Sequence, residues 1–92
     1  MDKHLLTFEL SPEKDQLFIH GDEAGLRYLS MQLLRLADHA ARGEVEHTHL
    51  ITESWGGTGL SAEPQSQTDT LINHVKLYGW PKPFGNDHDT KA

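Results

Sequence analysis

Two short runs of alternating apolar residues come first along the chain. In segment 5–10, Leu6, Phe8 and Leu10 fall on one side, as in a strand with one buried face. A polar stretch containing a proline follows at 11–16, and a second short apolar run occupies 17–21. Two strands joined by so short a link are expected to pair as an antiparallel hairpin.

A helical periodicity replaces this alternation from residue 24 to residue 41. Asp22 is the expected N-cap, and Gly43 is the expected stop. Apolar positions recur every three or four residues, which predicts a stripe facing the core. That stripe consists of Leu26, Leu29, Leu33, Leu36, Ala37 and Ala40. The apolar residues that lie off it, at the margin of the core or as a second stripe for a partner, are Tyr28, Met31 and Leu34.

The second half of the chain predicts further strands and leaves one segment open. Residues 47–55 are typical of a third strand, and 58–62 of a short fourth one, before a polar loop at 63–69. Segment 70–80 fits either a short helix or a strand. The helix is slightly favoured, because Asp69 is a suitable N-cap and apolar residues recur at helical spacing.

These elements predict an α+β fold in the order ββαββ, plus a short C-terminal helix or strand. A mostly antiparallel sheet of about four strands would carry the one long helix on one face. Residues 1–80 are expected to form a single domain, and 81–92, rich in proline and polar residues, a flexible C-terminal tail.

Charge and composition narrow the classes of function. The net charge is −6, and no Lys or Arg occurs between Arg42 and Lys76. This sign disfavours nucleic-acid binding and favours either a basic protein partner or simple solubility. The chain has no cysteine, which excludes disulfides and thiolate chemistry. No apolar run is long enough to span a membrane and no signal-peptide pattern is present, so a cytoplasmic location is expected.

His47 and His49 are the candidates for a metal site. Residues two apart on a strand share a face, so both imidazoles would be neighbours, and His20 or His74 would complete a ligand set. The chain holds seven histidines, so such a spacing arises easily by chance. A polar outer sheet face is therefore the favoured interpretation, and no cofactor is expected.

The glycine-rich segment that follows carries no recognisable catalytic motif. Residues 57–62 match the dinucleotide pattern G-x-G-x-x-A, but a polar loop follows where a helix would be required. The glycines instead predict a tight turn or a close approach of another backbone. Trp55 is expected in the core, or alternatively as an interface anchor. The spacing of the carboxylates fixes no acid–base pair, so the chain is not expected to be an enzyme.

The segment HLITESWGGTGLS, residues 49–61, resembles the central signature of the immunity protein 32 family of bacterial polymorphic toxin systems. The resemblance extends over residues 5–80. It implies a small, non-catalytic protein that neutralises a cognate toxin by direct binding. A basic toxin domain would suit the acidic stretch 44–69, where the expected partner contacts are Glu46, Glu53, Trp55 and Glu63. Two alternatives remain, a homodimeric structural or regulatory module that pairs through a strand edge or an open sheet face, and a histidine-based metal-binding domain.

Overall fold

The structure is a computed structural model that describes residues 3–82. It is an α+β fold, as predicted, with one long helix and two antiparallel sheets. The predicted tail from residue 83 onward lies outside the described residues. The elements in chain order are β1 (Leu6–Leu10), β2 (Leu17–Gly21), α1 (Glu23–Ala41), β3 (Glu46–Ile51), a 3-10 helix (Glu53–Trp55), β4 (Thr70–Leu71) and β5 (His74–Gly79).

The strands form a β2-β1-β4 sheet and a β3-β5 sheet. The predicted hairpin of β1 and β2 is confirmed, with Phe8 opposite Ile19. The two sheets are linked at residues 72–73, since the Ile72 N–H donates to the Phe8 carbonyl and the Thr52 N–H donates to the Asn73 carbonyl. Residues 70–79 therefore serve both sheets in turn, first beside β1 and then beside β3.

The helix begins and ends where the sequence predicts. The Asp22 side chain accepts a hydrogen bond from the Gly25 N–H at 2.7 Å, as an N-cap does. After the last turn, Gly43 has φ of 82°, a conformation that glycine adopts at little cost. The helix, 19 residues long, packs across β2, β3 and β5.

Three predictions about the second half of the chain are corrected by the structure. Segment 70–80 is strand and not the slightly favoured helix, because its backbone pairs with β1 and then with β3. Tertiary pairing here decides between two patterns that the local sequence satisfied almost equally. The predicted fourth strand at 58–62 is reduced to a single parallel bridge between Thr52 and Leu60. The predicted third strand ends at Ile51, and a 3-10 helix takes its last residues.

The core lies between α1 and the sheets, and the side of the helix that faces it overlaps the predicted stripe only in part. Leu36 is buried and Leu29 is half-buried, as expected, but Leu26 and Leu33 are each 48% exposed. The core-facing side is rotated toward Tyr28, which packs against the cluster of buried residues formed by Leu6, Phe8, Leu50 and Leu60. Among residues 3–82, α1 is too polar to cross a bilayer.

Candidate functional site

An open cleft of about 390 Å³ lies beside the N-terminus of α1 and contains acidic side chains from three separate segments. Asp22 comes from the helix cap, Glu53 from the turn after β3, and Glu63 from the loop 61–69. We call it the acidic cleft. It is lined by Lys3, His4, Leu5, Asp22, Glu53, Ser61, Ala62 and Glu63.

Backbone hydrogen bonds bring these segments together. The Ser61 N–H donates to the Leu6 carbonyl at 2.9 Å, and the Leu6 N–H donates to the Ser61 hydroxyl at 3.0 Å. The Glu53 N–H donates to the Leu60 carbonyl at 3.2 Å. Residues 60–61 are thus held between the start of β1 and the end of β3, which places Glu53 and Glu63 on one side.

Asp22 has a structural role that keeps it charged. Its carboxylate accepts a hydrogen bond from the backbone N–H of Gly25, and its own backbone N–H donates to the Leu5 carbonyl. The pKa of Asp22 is lowered mainly by the Gly25 bond. A lowered pKa means that the cap stays ionised at neutral pH. Asp22 therefore satisfies a backbone N–H group of the first helical turn, and its carboxylate adds a fixed negative charge to the cleft.

Lys3 and His4 also line the cleft, beside these carboxylates. Lys3 Nζ lies 3.1 Å from Glu53 Oε1, and the lysine side chain is 76% exposed. His4 is held in place, because its Nε2 lies 2.8 Å from the Gly59 carbonyl oxygen and its ring stacks on Tyr28. The lining holds three carboxylates against this one lysine, and the exposed pair of Lys3 with Glu53 is weak, so the cleft presents a net negative surface.

A buried carboxylate holds the loop that carries Glu63. Glu9 is fully buried and accepts hydrogen bonds from the Thr7 hydroxyl at 2.6 Å, the Gln65 N–H at 2.8 Å and the Ser66 N–H at 3.1 Å. Burial raises the pKa of Glu9, but these hydrogen bonds outweigh burial and the net shift is downward. Glu9 therefore stays ionised and fixes loop 61–69 across the sheet.

Trp55 is 65% exposed, so the expectation that it packs in the core is wrong. It ends the 3-10 helix that starts at Glu53, and a tight turn follows it. Gly56 has φ of 89°, and Gly57 lies so close to the Ile51 carbonyl oxygen that a Cβ atom would clash with it. The glycines thus allow the chain to fold back on the end of β3, and Trp55, two residues after Glu53 in the chain, is left exposed at this turn.

Glu46 lies apart from the other expected contacts. It opens β3 and faces Arg35 of α1, at 3.9 Å between Oε2 and Nη1. Glu53 follows the other end of β3, roughly 17 Å or more away along the strand. The structure therefore brings Glu53 and Glu63 to the acidic cleft, with Trp55 in the same 3-10 turn as Glu53, and leaves Glu46 outside it.

The histidines meet on the outer face of the β3-β5 sheet. His47 and His49 share that face, as predicted, with ring centroids 5.1 Å apart. His74 joins them, and its Nε2 lies 2.7 Å from His49 Nδ1, whereas His20 lies on the other sheet. The pKa of His49 is lowered first by partial desolvation of the ring and then by the neighbouring His74, His47 and Lys76. Within residues 3–82, no three metal-ligand side chains are grouped to hold an ion.

The sequence patterns missed part of the site. Lys3, His4 and Asp22 are far from residues 44–69 in the chain, and only the pairing of β1 with residues 60–61 brings them to the cleft. Asp22 was identified as a cap, but nothing in its local pattern indicated a neighbouring cleft. Glu9 alternates with buried apolar residues, which is typical of a solvent-facing strand position.

The family model described as Immunity protein 32 matches residues 16–75. The matched segment runs from β2 to the first residues of β5 and includes α1, Trp55, Glu53 and Glu63. No curated protein and no solved structure matches the chain.

Proposed function

Because the chain belongs to the immunity protein 32 family, we propose that it neutralises a cognate bacterial toxin by direct binding, through the acidic cleft and the adjacent Trp55. The chain carries out no chemistry of its own in this proposal. It acts in the cytoplasm of the bacterium that makes the toxin, where it masks the toxin's functional surface. The toxin domain is basic at the contact.

The observation that carries the proposal is the grouping of Asp22, Glu53 and Glu63 around one cleft. Three carboxylates gathered from distant segments give a local negative potential that attracts a basic surface and raises the association rate. Trp55 supplies the apolar anchor that such a contact needs, because a large exposed aromatic side chain buries much area when it is covered.

The rigidity of this region supports the same assignment. Asp22 is fixed as a helix cap, Glu53 by the backbone bond to Leu60, and the loop of Glu63 by Glu9. A surface whose charged groups are already held in position loses less conformational entropy when it binds. The arrangement therefore favours tight binding as well as fast association.

The decisive experiment measures binding of this protein to the toxin domain encoded beside it. We expect the double variant Glu53→Lys/Glu63→Lys to bind at least about 100-fold more weakly, since both charges become repulsive toward a basic partner. The matched control is Glu13→Lys/Asp38→Lys, which changes the net charge equally at exposed positions away from the cleft. Equal loss of affinity in both double variants would show that only overall charge matters.

A substitution that makes the cleft more negative tests the same proposal in the opposite direction. Lys3→Ala removes the cation that faces Glu53, so we expect the association rate to rise by up to about threefold at low salt. Glu46→Lys, at the far end of β3, tests how far the contact extends, because it weakens binding only if the toxin reaches that end. Failure of the wild-type protein to bind the toxin, or to rescue growth on co-expression, would refute the proposed function itself.

A further inference from the structure

A second surface, on α1, has a character opposite to that of the acidic cleft. One exposed side of the helix carries no charged residue along most of its length. We call it the uncharged helix face. Its members, all exposed, are Leu26, Ser30, Leu33, Leu34, Ala37 and Ala41.

Helical geometry places these residues on one continuous strip. With 3.6 residues per turn they fall within an arc of about 100°, and each lies three or four positions from at least one other member of the strip. Arg27, Arg35 and Asp38 occupy a separate arc, with Met31 among them. Glu23 is the exception, because it lies at the first turn on the arc of the strip, where it pairs with Arg27. The helix thus has a core side, a charged side and an apolar side that the described residues leave uncovered.

The strip continues onto the edge strand. A Cβ atom at Gly21 of β2 would touch the Leu26 side chain, so the helix face and the strand meet there. Ile19 and Leu17 lie on the same face of β2 as Gly21, and they are 46% and 54% exposed. Among residues 3–82, β2 pairs with β1 only, which leaves its other edge free. Large exposed apolar groups that adjoin one another in this way indicate an interface.

We propose that the uncharged helix face, with Leu17 and Ile19 beside it, is a homodimer interface at which α1 packs against α1 of a second copy of this chain. Charge argues for this occupant. The protein carries a net charge of −6, so two copies repel each other across most of their surfaces. Segment 22–43 is an exception, since it holds three acidic and three basic side chains.

A basic toxin is a poor fit for the same face. Its cations would lose their hydration there and meet no carboxylate except Glu23, which is already paired with Arg27, and this costs free energy. A second copy presents the same uncharged apolar strip, and a two-fold arrangement covers both strips at once. Ser30 and Ala37 are small and lie between the leucines of the strip, so two helices can approach closely there.

Sedimentation equilibrium of the wild-type protein between about 1 and about 300 μM tests this proposal, and we expect a reversible dimer over that range. Leu34→Glu places a charge on the interface and should weaken dimerisation at least about 30-fold. Met31→Glu is the matched control, because Met31 lies on the same helix and is 64% exposed against 61% for Leu34, but belongs to the charged side. It should leave the dimer intact.

A covalent test is possible because the chain has no cysteine of its own. Leu34 lies near the middle of the strip's length. Mild oxidation of the Leu34→Cys variant should therefore give a disulfide-linked dimer, whereas the Met31→Cys variant should not. Circular dichroism checks that each variant is folded. A monomer at every concentration, or equal behaviour of the Leu34 and Met31 variants, would overturn the proposal. Toxin binding by Leu34→Glu should be retained, so this interface and the acidic cleft succeed or fail independently.

Discussion

The outer faces of the two sheets carry polar side chains at alternate strand positions, but one face is covered by a loop and the other is open to solvent. On the β2-β1-β4 sheet, loop 61–69 covers the face, and Thr7 and Glu9 beneath it are fully buried. On the β3-β5 sheet, His47, His49 and His74 remain exposed to solvent. The covered face contributes to the acidic cleft, because the loop that closes it also carries Glu63.

The difference lies in how the polar side chains of each face are used: the Glu9 carboxylate holds a loop in place, and the histidine rings do not. Glu9 accepts two backbone N–H bonds from the loop and one hydroxyl bond from Thr7, so it organises a chain segment. The histidines contact each other, Tyr78 and the solvent, and they hold no loop in place. Stability should therefore be far more sensitive to substitution on the covered face than on the open one.

The largest effect is expected for Glu9→Ala. This change leaves the Gln65 and Ser66 N–H groups without their acceptor, and we expect a loss of about 3 kcal/mol in the free energy of unfolding. His47→Ala on the open face should cost less than about 0.5 kcal/mol. Urea denaturation monitored by circular dichroism measures both values. Similar losses for the two variants would contradict the distinction between the faces.

The next largest effect is expected at the glycine turn 56–57, which leads from the end of β3 toward the covering loop 61–69. Gly57→Ala should cost about 2 kcal/mol, because the new methyl group meets the Ile51 carbonyl oxygen and the backbone must shift. Gly56→Ala, one position earlier, should cost only about 1 kcal/mol, because it meets nothing within 4 Å and suffers only from its positive φ. Denaturation of both variants gives the order. A larger loss at Gly56 would mean that strain, not close approach, requires these glycines.

The smallest effect is a pH dependence that differs between the faces. The folded pKa of His49 is lowered from its ordinary value of 6.5, so its contribution to stability is present above pH 6.5 and declines as the pH falls below that value. The folded pKa of Glu9 is lowered from 4.5, so its contribution is lost only when the pH falls below 4.5. The two faces therefore lose stability in separate pH windows.

The substitution His49→Phe isolates the first window. The variant keeps a ring beside His74 but removes the titrating group, so its free energy of unfolding should fall less between pH 7.5 and pH 5, about one unit or more on each side of the ordinary histidine pKa. Glu9→Gln should instead flatten the decline below pH 4.5. An unchanged slope in His49→Phe would assign the first window to other groups.

Local patterns predicted the first half of the fold better than the second. The hairpin, the cap at Asp22 and the end of α1 near Gly43 are determined by neighbours within a few residues, and the sequence identifies them. Segment 70–80 depended instead on pairing with β1 and β3, which lie far away in the chain. The predicted core stripe is rotated for a similar reason, since Leu26 and Leu33 have the right spacing but remain half exposed where α1 packs on the sheets.

The sequence alone determined the class of the fold, the acidic balance without Lys or Arg between Arg42 and Lys76, and the family signature around Trp55. Tertiary structure decided which of those residues act together. It joined Asp22 to Glu53 and Glu63, left Glu46 apart, buried Glu9 and exposed Trp55. The physical reason is that charge and periodicity are properties of single positions and short segments. A cleft or an interface requires side chains from distant segments, and these meet only when the backbone pairs.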